Sequence, residues 1–343
     1  MKQILLTELP QNPLNAGSKA KRDIRQILIA EGYLPLDVHE CFSLGKLPRF
    51  FKLCRELRAL PDGSALTIQW PVYSFYSRKF MPALLRLLQK KAFLVTLIVH
   101  DLESARFEKN SEKALLEQQL LSRCARIVLH NEAMRDFLVQ SLSLPPQRLA
   151  VLGIFDYLCP DPKRSAQPGN TVAVAGNLSR EKAGYLYRLS ELDGIAPLRL
   201  YGANYSGEDS AQVHYCGAFA PEELPARLDA AYGLVWDGDS CDTCAGVTGQ
   251  YLRINDPHKA SLYLAAGLPV LIWSEAALAP FLVKNGLGLT VDCLQELQTR
   301  LSSVSPEEYR RLAENAARFG ARLRAGEMIR SVLRQSAALD EKA

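Results

Sequence analysis

The chain has 343 residues, of which 48% are hydrophobic and 23% charged, and its formal net charge is +4. This length suffices for two globular domains, and the small basic excess suits an anionic ligand or a membrane surface but is too small to indicate a nucleic-acid-binding protein. No run of about 18 apolar residues predicts a membrane-spanning helix, and the N-terminus lacks the apolar core of a secretory signal. We therefore expect a cytoplasmic protein.

Apolar runs of strand length alternate with amphipathic helical patterns along the first half of the chain. The predicted strands are "ILLTEL", "LPLDV", "ALTIQW", "FLVTLIV" and "RIVLHN". The helical patterns between them are residues 19–31, "RFFKLCRELRAL", "RKFMPALLRLLQKK" and "EKALLEQQLLSRC". This alternation is typical of a parallel sheet with helices on both faces, and the uninterrupted apolar strands fit burial on both sides.

A segment rich in proline, glycine and charge, residues 158–170, predicts a linker in the middle of the chain. The alternation then restarts with the predicted strands "TVAVAGN", "APLRLYG", "GLVWDG" and "LPVLIW". We predict helices at 179–191, 221–229, 257–266 and 277–284, and a helical tail over 306–338. The sequence thus predicts two doubly wound α/β domains, residues 1–157 and 171–343, with ligands in a cleft beyond the carboxyl ends of their strands.

Cationic residues occupy a helix start in the second half, within "NDPHKASL". Asp256 is the predicted N-cap and Pro257 suits the first turn, where His258 and Lys259 follow. A helix start already carries partial positive charge, so cations there are unfavourable unless an anion completes the site. Arg180, just past a predicted strand, adds a planar fork for phosphate oxygens. We favour diphosphate binding over a solvated face, in a chain that lacks the glycine fingerprints of dinucleotide and P-loop sites.

Three further features of the second half have two interpretations each. Phe219, just before a predicted helix, is either a core anchor or a platform for a nucleobase. Asp237 and Asp239 end the run "LVWDGDS" and either hold sugar hydroxyls or cap the loop. The "CDTC" motif from Cys241 to Cys244 lies in a glycine-rich run without a second ligand pair, which disfavours a metal or redox site.

In the first half, "NAGSKAKRD" follows the first predicted strand. Gly17 would let the backbone approach a ligand closely, and Lys19 and Lys21 add positive charge. A plain loop is the alternative interpretation.

Polar residues also end two later strands of the first half. "VTLIVHDLES" places His100 and Asp101 at the end of a strand, with Glu103 shortly after. A carboxylate at such a strand end is well placed as a general base, although Asp101 could instead cap the following helix. In "IVLHNEAM", Asn131 follows the next strand and could simply be a helix N-cap.

The motifs "AGNLSREK", "GLVWDGDSCDTCAGVTGQYL", "NDPHKASLYLAAGLPV", "HDLES" and "HNEAM" together resemble the bacterial β-1,6-galactofuranosyltransferases of O-antigen assembly. The chain is more distantly similar to the streptococcal glucosyltransferases that extend GlcNAc on serine-rich adhesins. The resemblance spans nearly the whole chain and is strongest over residues 171–285. It implies the GT-B fold, in which two Rossmann-like domains face each other across a cleft, with the donor on the second and the acceptor on the first.

This resemblance also implies roles for individual residues. Arg180 and Lys259 would hold the UDP diphosphate, and the loop around Ala16 and Gly17 would close over it. Phe219 falls near the position where relatives place an aromatic ring beside uracil. The remaining candidates for the donor site are Asn177, Asn255 and His258. No metal or other cofactor is expected, because GT-B enzymes generally use protein cations where others use a divalent ion.

The activity implied is inverting transfer of galactofuranose from UDP-galactofuranose to a sugar hydroxyl of a lipid-linked O-antigen or capsule precursor, with Asp101 or Glu103 as the base. Weaker candidates for contacts to the donor sugar or the acceptor are Lys19, His100, Asn131, Asp237 and Asp239. The alternatives are a GT-B transferase for another nucleotide sugar and a non-catalytic protein that binds a sugar nucleotide. The oligomeric state stays open.

Two basic amphipathic stretches, "LPRFFKLCRELRAL" and "SRKFMPALLRLLQKK", raise the question of membrane contact. They could dock on anionic lipid at the inner face of the cell membrane. The alternative, which we favour, is that their apolar faces belong to the core.

Overall fold

The computed structural model describes residues 2–10, 16–40, 45–106, 111–163, 168–192 and 195–340. The chain divides into two compact units, Met1–Leu152 with Ile329–Ala343, and Gly153–Met328. The change from one unit to the other falls just before the predicted linker, whereas the end of the chain groups with the first unit instead of the second. Two ion pairs join these parts of the chain, since Arg330 and Arg334, near its end, both contact Glu31 of the first unit.

The first unit contains the expected alternation of strands and helices. Its strands are β1 (Gln3–Leu9), β2 (Leu34–His39), β3 (Ala65–Trp70), β4 (Leu94–Val99), β5 (Arg126–Leu129) and β6 (Leu149–Val151). Its helices are α1 (Ala16–Ala30), α2 (Lys46–Ala59), α3 (Met81–Lys90), α4 (Glu103–Arg106), α5 (Glu112–Leu121) and α6 (Glu132–Leu142). The strands pair in parallel in the order β2-β1-β3-β4-β5-β6. The order reverses between β1 and β3, and such switch points are where ligands bind in doubly wound sheets.

The second half of the chain repeats this architecture. Its strands are β7 (Val172–Ala175), β8 (Leu198–Tyr201), β9 (Val213–Gly217), β10 (Tyr232–Val235), β11 (Val270–Trp273) and β12 (Gly288–Val291). Its helices are α7 (Arg180–Ala183), α8 (Leu224–Arg227), α9 (Gly246–Gln250), α10 (His258–Ala265), α11 (Ala279–Lys284), α12 (Leu297–Ser302), α13 (Pro306–Arg324) and α14 (Glu327–Asp340). The parallel order β12-β11-β10-β7-β8-β9 is that of a dinucleotide-binding Rossmann sheet, with its switch point between β7 and β10.

Several predicted helices are shorter than the sequence indicated. The one predicted over 179–191 is a single α-turn, α7, followed by two 3₁₀ turns. The predicted continuous tail is interrupted after α13, where Gly326 adopts a φ of +73° and its N–H donates to the carbonyl of Leu323. A glycine in this left-handed conformation is a common helix terminator, because other residues adopt it at a cost.

The two basic stretches considered for membrane contact differ in how they pack. The apolar residues of α3 are buried, which agrees with the interpretation that the apolar face of that stretch belongs to the core. Helix α2 also buries one apolar face, but it leaves Leu47 43% and Phe51 60% exposed. Within the described ranges, no helix is both long and apolar enough to cross a membrane.

Candidate active site

The switch point of the second sheet carries a cluster of two lysines around one carboxylate. Asp237 lies just past β10 and is buried, with its side chain 3% exposed. The Nζ of Lys259, on the first turn of α10, lies 2.6 Å from Asp237 Oδ1 and 3.1 Å from the carbonyl oxygen of Trp236. The Nζ of Lys182, on α7, lies 2.9 Å from Asp237 Oδ2. Asp237 therefore joins the segments that follow β7 and β10.

Electrostatics keep the carboxylate of this cluster ionised. Burial acts to raise the pKa of Asp237, but the charges and hydrogen bonds of Lys259 and Lys182 outweigh it and lower the pKa below its ordinary value. Two ammonium groups sharing one carboxylate leave a surplus positive charge, which favours binding of an anion. Asp237 thus engages lysines, which is neither of the roles that the sequence suggested. Sequence reasoning missed Lys182, although it stands two residues after Arg180 in the same motif.

Arg180 is exposed at the first residue of α7. Its guanidinium carbon lies 4.0 Å from the centroid of the Tyr187 ring, which is the geometry of a cation–π contact. Lys182, on the same turn of helix, links this segment to the cluster around Asp237. The structure therefore places Arg180 and Lys259 on two segments that meet at Asp237.

The start of α10 differs by one residue from the prediction. Pro257 is the N-cap, with φ −69° and ψ 129°, so Asp256 is not the cap and the helix begins at His258. The ring of His258 stacks on Tyr157 at a centroid distance of 5.0 Å, and its Nε2 lies 3.2 Å from the carbonyl oxygen of Asp156. This imidazole is engaged inside the second unit, so it contributes to packing there.

Two asparagines proposed for the donor site have different environments. Asn177 is exposed, and its Oδ1 accepts hydrogen bonds from Ser179 N at 3.1 Å and Asn204 Nδ2 at 2.9 Å. In contrast, Asn255 Oδ1 is buried and has no hydrogen-bond partner in the part of the chain that the structure describes. A buried acceptor without a partner costs about 1–3 kcal/mol, so a ligand donor at Asn255 would be stabilising.

Phe219 and Asp239 lie in loops beyond the strand ends. Phe219 is half-buried, with Arg227 over its ring at 5.7 Å and the Tyr201 ring 6.4 Å away. Its accessible part leaves both the anchor and the nucleobase interpretations open. Asp239 is exposed, and its backbone oxygen accepts a hydrogen bond from Arg188 at 3.3 Å.

The "CDTC" motif packs against the inside of the second unit. Cys241 and Cys244 are both buried, and burial raises their thiol pKa values to about 11 and about 12. Thiols of this kind are protonated at neutral pH, whereas redox and metal-binding cysteines act as thiolates. Over the described residues, no group of three or more His, Cys, Asp or Glu side chains is arranged to hold a metal ion.

The switch point of the first sheet has its own charged cluster, of which sequence reasoning named Lys21 but not Glu8. Glu8, on β1, accepts hydrogen bonds from Tyr73 N at 2.7 Å and Ser74 N at 2.8 Å. Lys21 Nζ donates to the carbonyl of Pro71 at 2.5 Å and lies 4.0 Å from Glu8. Burial lowers the pKa of Lys21, and the charges of Glu8 and Asp101 partly oppose this shift. A glutamate inside the otherwise apolar run "ILLTEL" was the available signal.

The candidate bases lie past the end of β4, near this cluster. His100 Nε2 lies 2.8 Å from Gln69 Oε1, which fixes the orientation of its ring. Asp101 is half-buried, whereas Glu103 is only 3% exposed, with Lys113 Nζ 3.8 Å from its Oε2. Of the two carboxylates, Asp101 is the more accessible to an acceptor.

Two first-half predictions meet a different local structure, and Asn131 has the capping role that the sequence offered as its alternative. Ala16 and Gly17 lie in the first turn of α1, so the predicted loop is helical, in keeping with the helix-forming residues that follow. Lys19 is 1% exposed and its Nζ lies 2.5 Å from Asp23, which places it in the core instead of at a ligand surface. Asn131 is the N-cap of α6, because its side chain accepts a hydrogen bond from Met134 N at 2.9 Å.

Comparison with known proteins gives a consistent assignment over most of the chain. Residues 3–141 match the family described as glucosyltransferase 3-like, N-terminal domain, and residues 172–336 match its C-terminal domain. The chain is 33% identical to the beta-1,6-galactofuranosyltransferase WbbI of Escherichia coli (strain K12), over 96% of this chain and 97% of the relative. It is 27% identical to glucosyltransferase 3 of Streptococcus gordonii, over 79% and 78%. The resemblance indicated by the motifs is confirmed.

Solved structures share the fold at low sequence identity. Sucrose-phosphate synthase from Thermosynechococcus elongatus matches with a TM-score of 0.63 and 14% identity, covering 100% of this chain and 99% of its own. Anabaena HepE in complex with UDP-glucose matches with a TM-score of 0.62 and 14% identity, covering 100% of both chains. The predicted GT-B fold is confirmed. The chain belongs to the glucosyltransferase 3-like family and is a glycosyltransferase of the GT-B fold.

Proposed function

We propose that this glycosyltransferase moves galactofuranose from UDP-galactofuranose to a sugar hydroxyl of a cell-surface glycan precursor. The observation that carries the proposal is the positive cluster of Lys182, Asp237 and Lys259 at the switch point of the second sheet. A surplus cation there suits the diphosphate of an activated sugar. The name of the Escherichia coli relative supports the furanose donor, and the UDP-glucose complex of HepE supports a UDP-sugar.

The proposed reaction is a single displacement with inversion. The acceptor oxygen attacks C1 of the donor sugar, the bond from C1 to the UDP oxygen breaks, and the α linkage of the donor becomes β in the product. Negative charge develops on the departing diphosphate. Lys259, Arg180 and the N-terminus of α10 stabilise it, which is the electrostatic contribution that commonly dominates such catalysis.

The hydroxyl proton of the acceptor passes to a carboxylate of the first unit. We propose Asp101 for this role, since it follows the carboxyl end of β4 and is the more accessible of the two candidates. Glu103 is the second choice because it is almost fully buried. Asn255 contributes on the donor side, where its buried Oδ1 accepts a hydrogen bond from the bound nucleotide sugar.

A donor screen tests the proposal. The protein is incubated with UDP-galactofuranose, UDP-galactopyranose or UDP-glucose and simple α-glucosides, and the products are identified by NMR. We expect a β-1,6-linked galactofuranoside from the furanose donor alone, formed equally well in EDTA because protein cations stabilise the leaving group. Transfer from UDP-glucose alone would favour the second candidate, the glucosyl transfer for which the family is described, and would refute the furanose donor.

We also propose that α2 brings the first unit to anionic membrane surfaces, where lipid-linked acceptors reside. Leu47, Phe51 and Arg55 are spaced four residues apart, so they share one exposed stripe of the helix. Arg58, which is exposed, adds positive charge next to it, as does Lys52, whose Nζ also lies 3.8 Å from Glu56. An apolar stripe flanked by basic residues is complementary to an anionic bilayer interface.

A further inference from the structure

The contact between Arg180 and Tyr187 can hold an arginine in place without neutralising its charge. The guanidinium carbon lies 4.0 Å from the ring centroid, over the face of the ring. The N–H donors of a guanidinium lie in its plane and point outward. An aromatic face holds a guanidinium without the paired hydrogen bonds that a carboxylate takes, so Arg180 keeps N–H donors for a ligand.

Tyr187 is itself fixed by the loops that leave two strands. Its hydroxyl donates to the carbonyl of Leu178 at 2.7 Å, in the segment after β7. The same hydroxyl accepts a hydrogen bond from Ser206 N at 3.1 Å, in the segment after β8. The ring also packs against that of Tyr205, at a centroid distance of 5.6 Å. These contacts fix the position of the Tyr187 ring, although the residue is only half-buried.

We propose that Tyr187 is a positioning residue of the donor site, which holds Arg180 in the orientation that grips the diphosphate. An exposed arginine loses side-chain entropy when it binds a ligand. A fixed aromatic ring beneath it restricts that freedom in the free protein, so less entropy is lost on binding. Tyr187 acts through Arg180 and does not touch the diphosphate. This inference rests on the proposed function only in that the ligand is a nucleoside diphosphate.

The test is a double-mutant cycle on UDP affinity, measured by isothermal titration calorimetry with UDP alone. The four proteins are the wild type, Arg180→Ala, Tyr187→Leu and the double variant. We expect Tyr187→Leu to weaken UDP binding about 5-fold to 10-fold in the wild-type background, as for the loss of a cation–π contact, and to have no further effect beside Arg180→Ala. Tyr187→Phe, which retains the ring, should recover most of the affinity.

A matched control is available at Phe319, a half-buried ring with Arg322 over it at 5.2 Å. Phe319→Leu removes the same kind of contact outside the site and should leave UDP affinity unchanged. Additive effects in the cycle, or wild-type affinity in Tyr187→Leu, would overturn the inference while the proposed function stands. A wild-type protein that binds UDP but transfers no galactofuranose would overturn the proposed donor and leave the cycle intact, and one that binds no UDP would overturn both.

Discussion

His130 gives a pH dependence whose sign and size follow from its burial. The imidazole is 2% exposed at the end of β5, and its Nε2 lies 3.0 Å from the carbonyl oxygen of Val99 at the end of β4. Burial lowers its pKa from 6.5 to about 4, and hydrogen bonds to the backbone of Val99 and His100 only partly oppose the shift. The folded protein therefore keeps this histidine neutral beside the segment that carries Asp101.

The sign follows from comparing the two states. Above pH 6.5 the imidazole is neutral in both, so His130 adds no pH dependence. As the pH falls from 6.5 to about 4, the unfolded chain takes up a proton that the folded protein excludes, and the folded state loses stability. At pH 5 the ratio of protonated to neutral imidazole is about 30 to 1 in the unfolded chain and about 1 to 10 in the folded protein. This difference lowers the free energy of unfolding by about 2 kcal/mol.

The assay is urea unfolding of the wild type and of His130→Gln at pH 7 and pH 5, followed by fluorescence and circular dichroism. The variant is expected to be less stable at pH 7, but its loss of stability between pH 7 and pH 5 should be smaller than that of the wild type by about 2 kcal/mol. An NMR titration of His130 gives an independent midpoint. Equal pH dependence in both proteins, or a midpoint near the ordinary value, would refute the reasoning.

Three further predictions concern activity and membrane contact. Lys259→Met should lower kcat/KM for the donor by about 10²-fold to 10³-fold, because a cation at the departing diphosphate is lost, and unchanged initial rates would remove this role. Asp101→Asn should lower kcat by about 10²-fold or more, and Glu103→Gln should lower it less since Glu103 is buried; the reverse order would exchange their roles. Phe51→Ser should weaken sedimentation with phosphatidylglycerol vesicles at low salt by about 10-fold, whereas Leu94→Ser, at a residue 54% exposed on β4, should not. Equal effects of these two variants, or a wild type that does not sediment, would end the membrane proposal.

Most strands were predictable because burial on both faces leaves a direct trace in the sequence, whereas β6, β9 and β12 were not among the predicted strands. "FLVTLIV" contains β4, and "LPVLIW" contains β11 in full. Helix lengths were less predictable, since short turns such as α7 satisfy their backbone groups through 3₁₀ geometry that amphipathic periodicity does not report. The α1 start was misplaced because Gly17 indicated a loop, while its neighbours favoured a helix.

Strand order was beyond sequence reasoning, and the missed residues follow from that. Lys182 and Asp237 are far apart in the chain, and only the pairing of β7 with β10 brings their segments together. The same holds for Glu8, which meets Tyr73 because β1 pairs with β3. Motifs identified the segments that carry the site, but the partners of each charge depend on the order of the strands.

Arg180 and Lys259 look equivalent in the sequence, yet the structure holds them by different physical means. Lys259 is already hydrogen-bonded to Asp237, which it shares with Lys182, before any ligand binds, so a diphosphate in the ground state must compete with that carboxylate. Arg180 lies over the face of the Tyr187 ring, a contact that does not take up its donors as a carboxylate would. A contact that strengthens only in the transition state raises kcat, whereas a contact already made in the ground-state complex raises the affinity for the ligand. We therefore expect Lys259 to contribute mainly to kcat and Arg180 mainly to UDP affinity, and the opposite split between Lys259→Met and Arg180→Ala would show that Asp237 does not restrain Lys259.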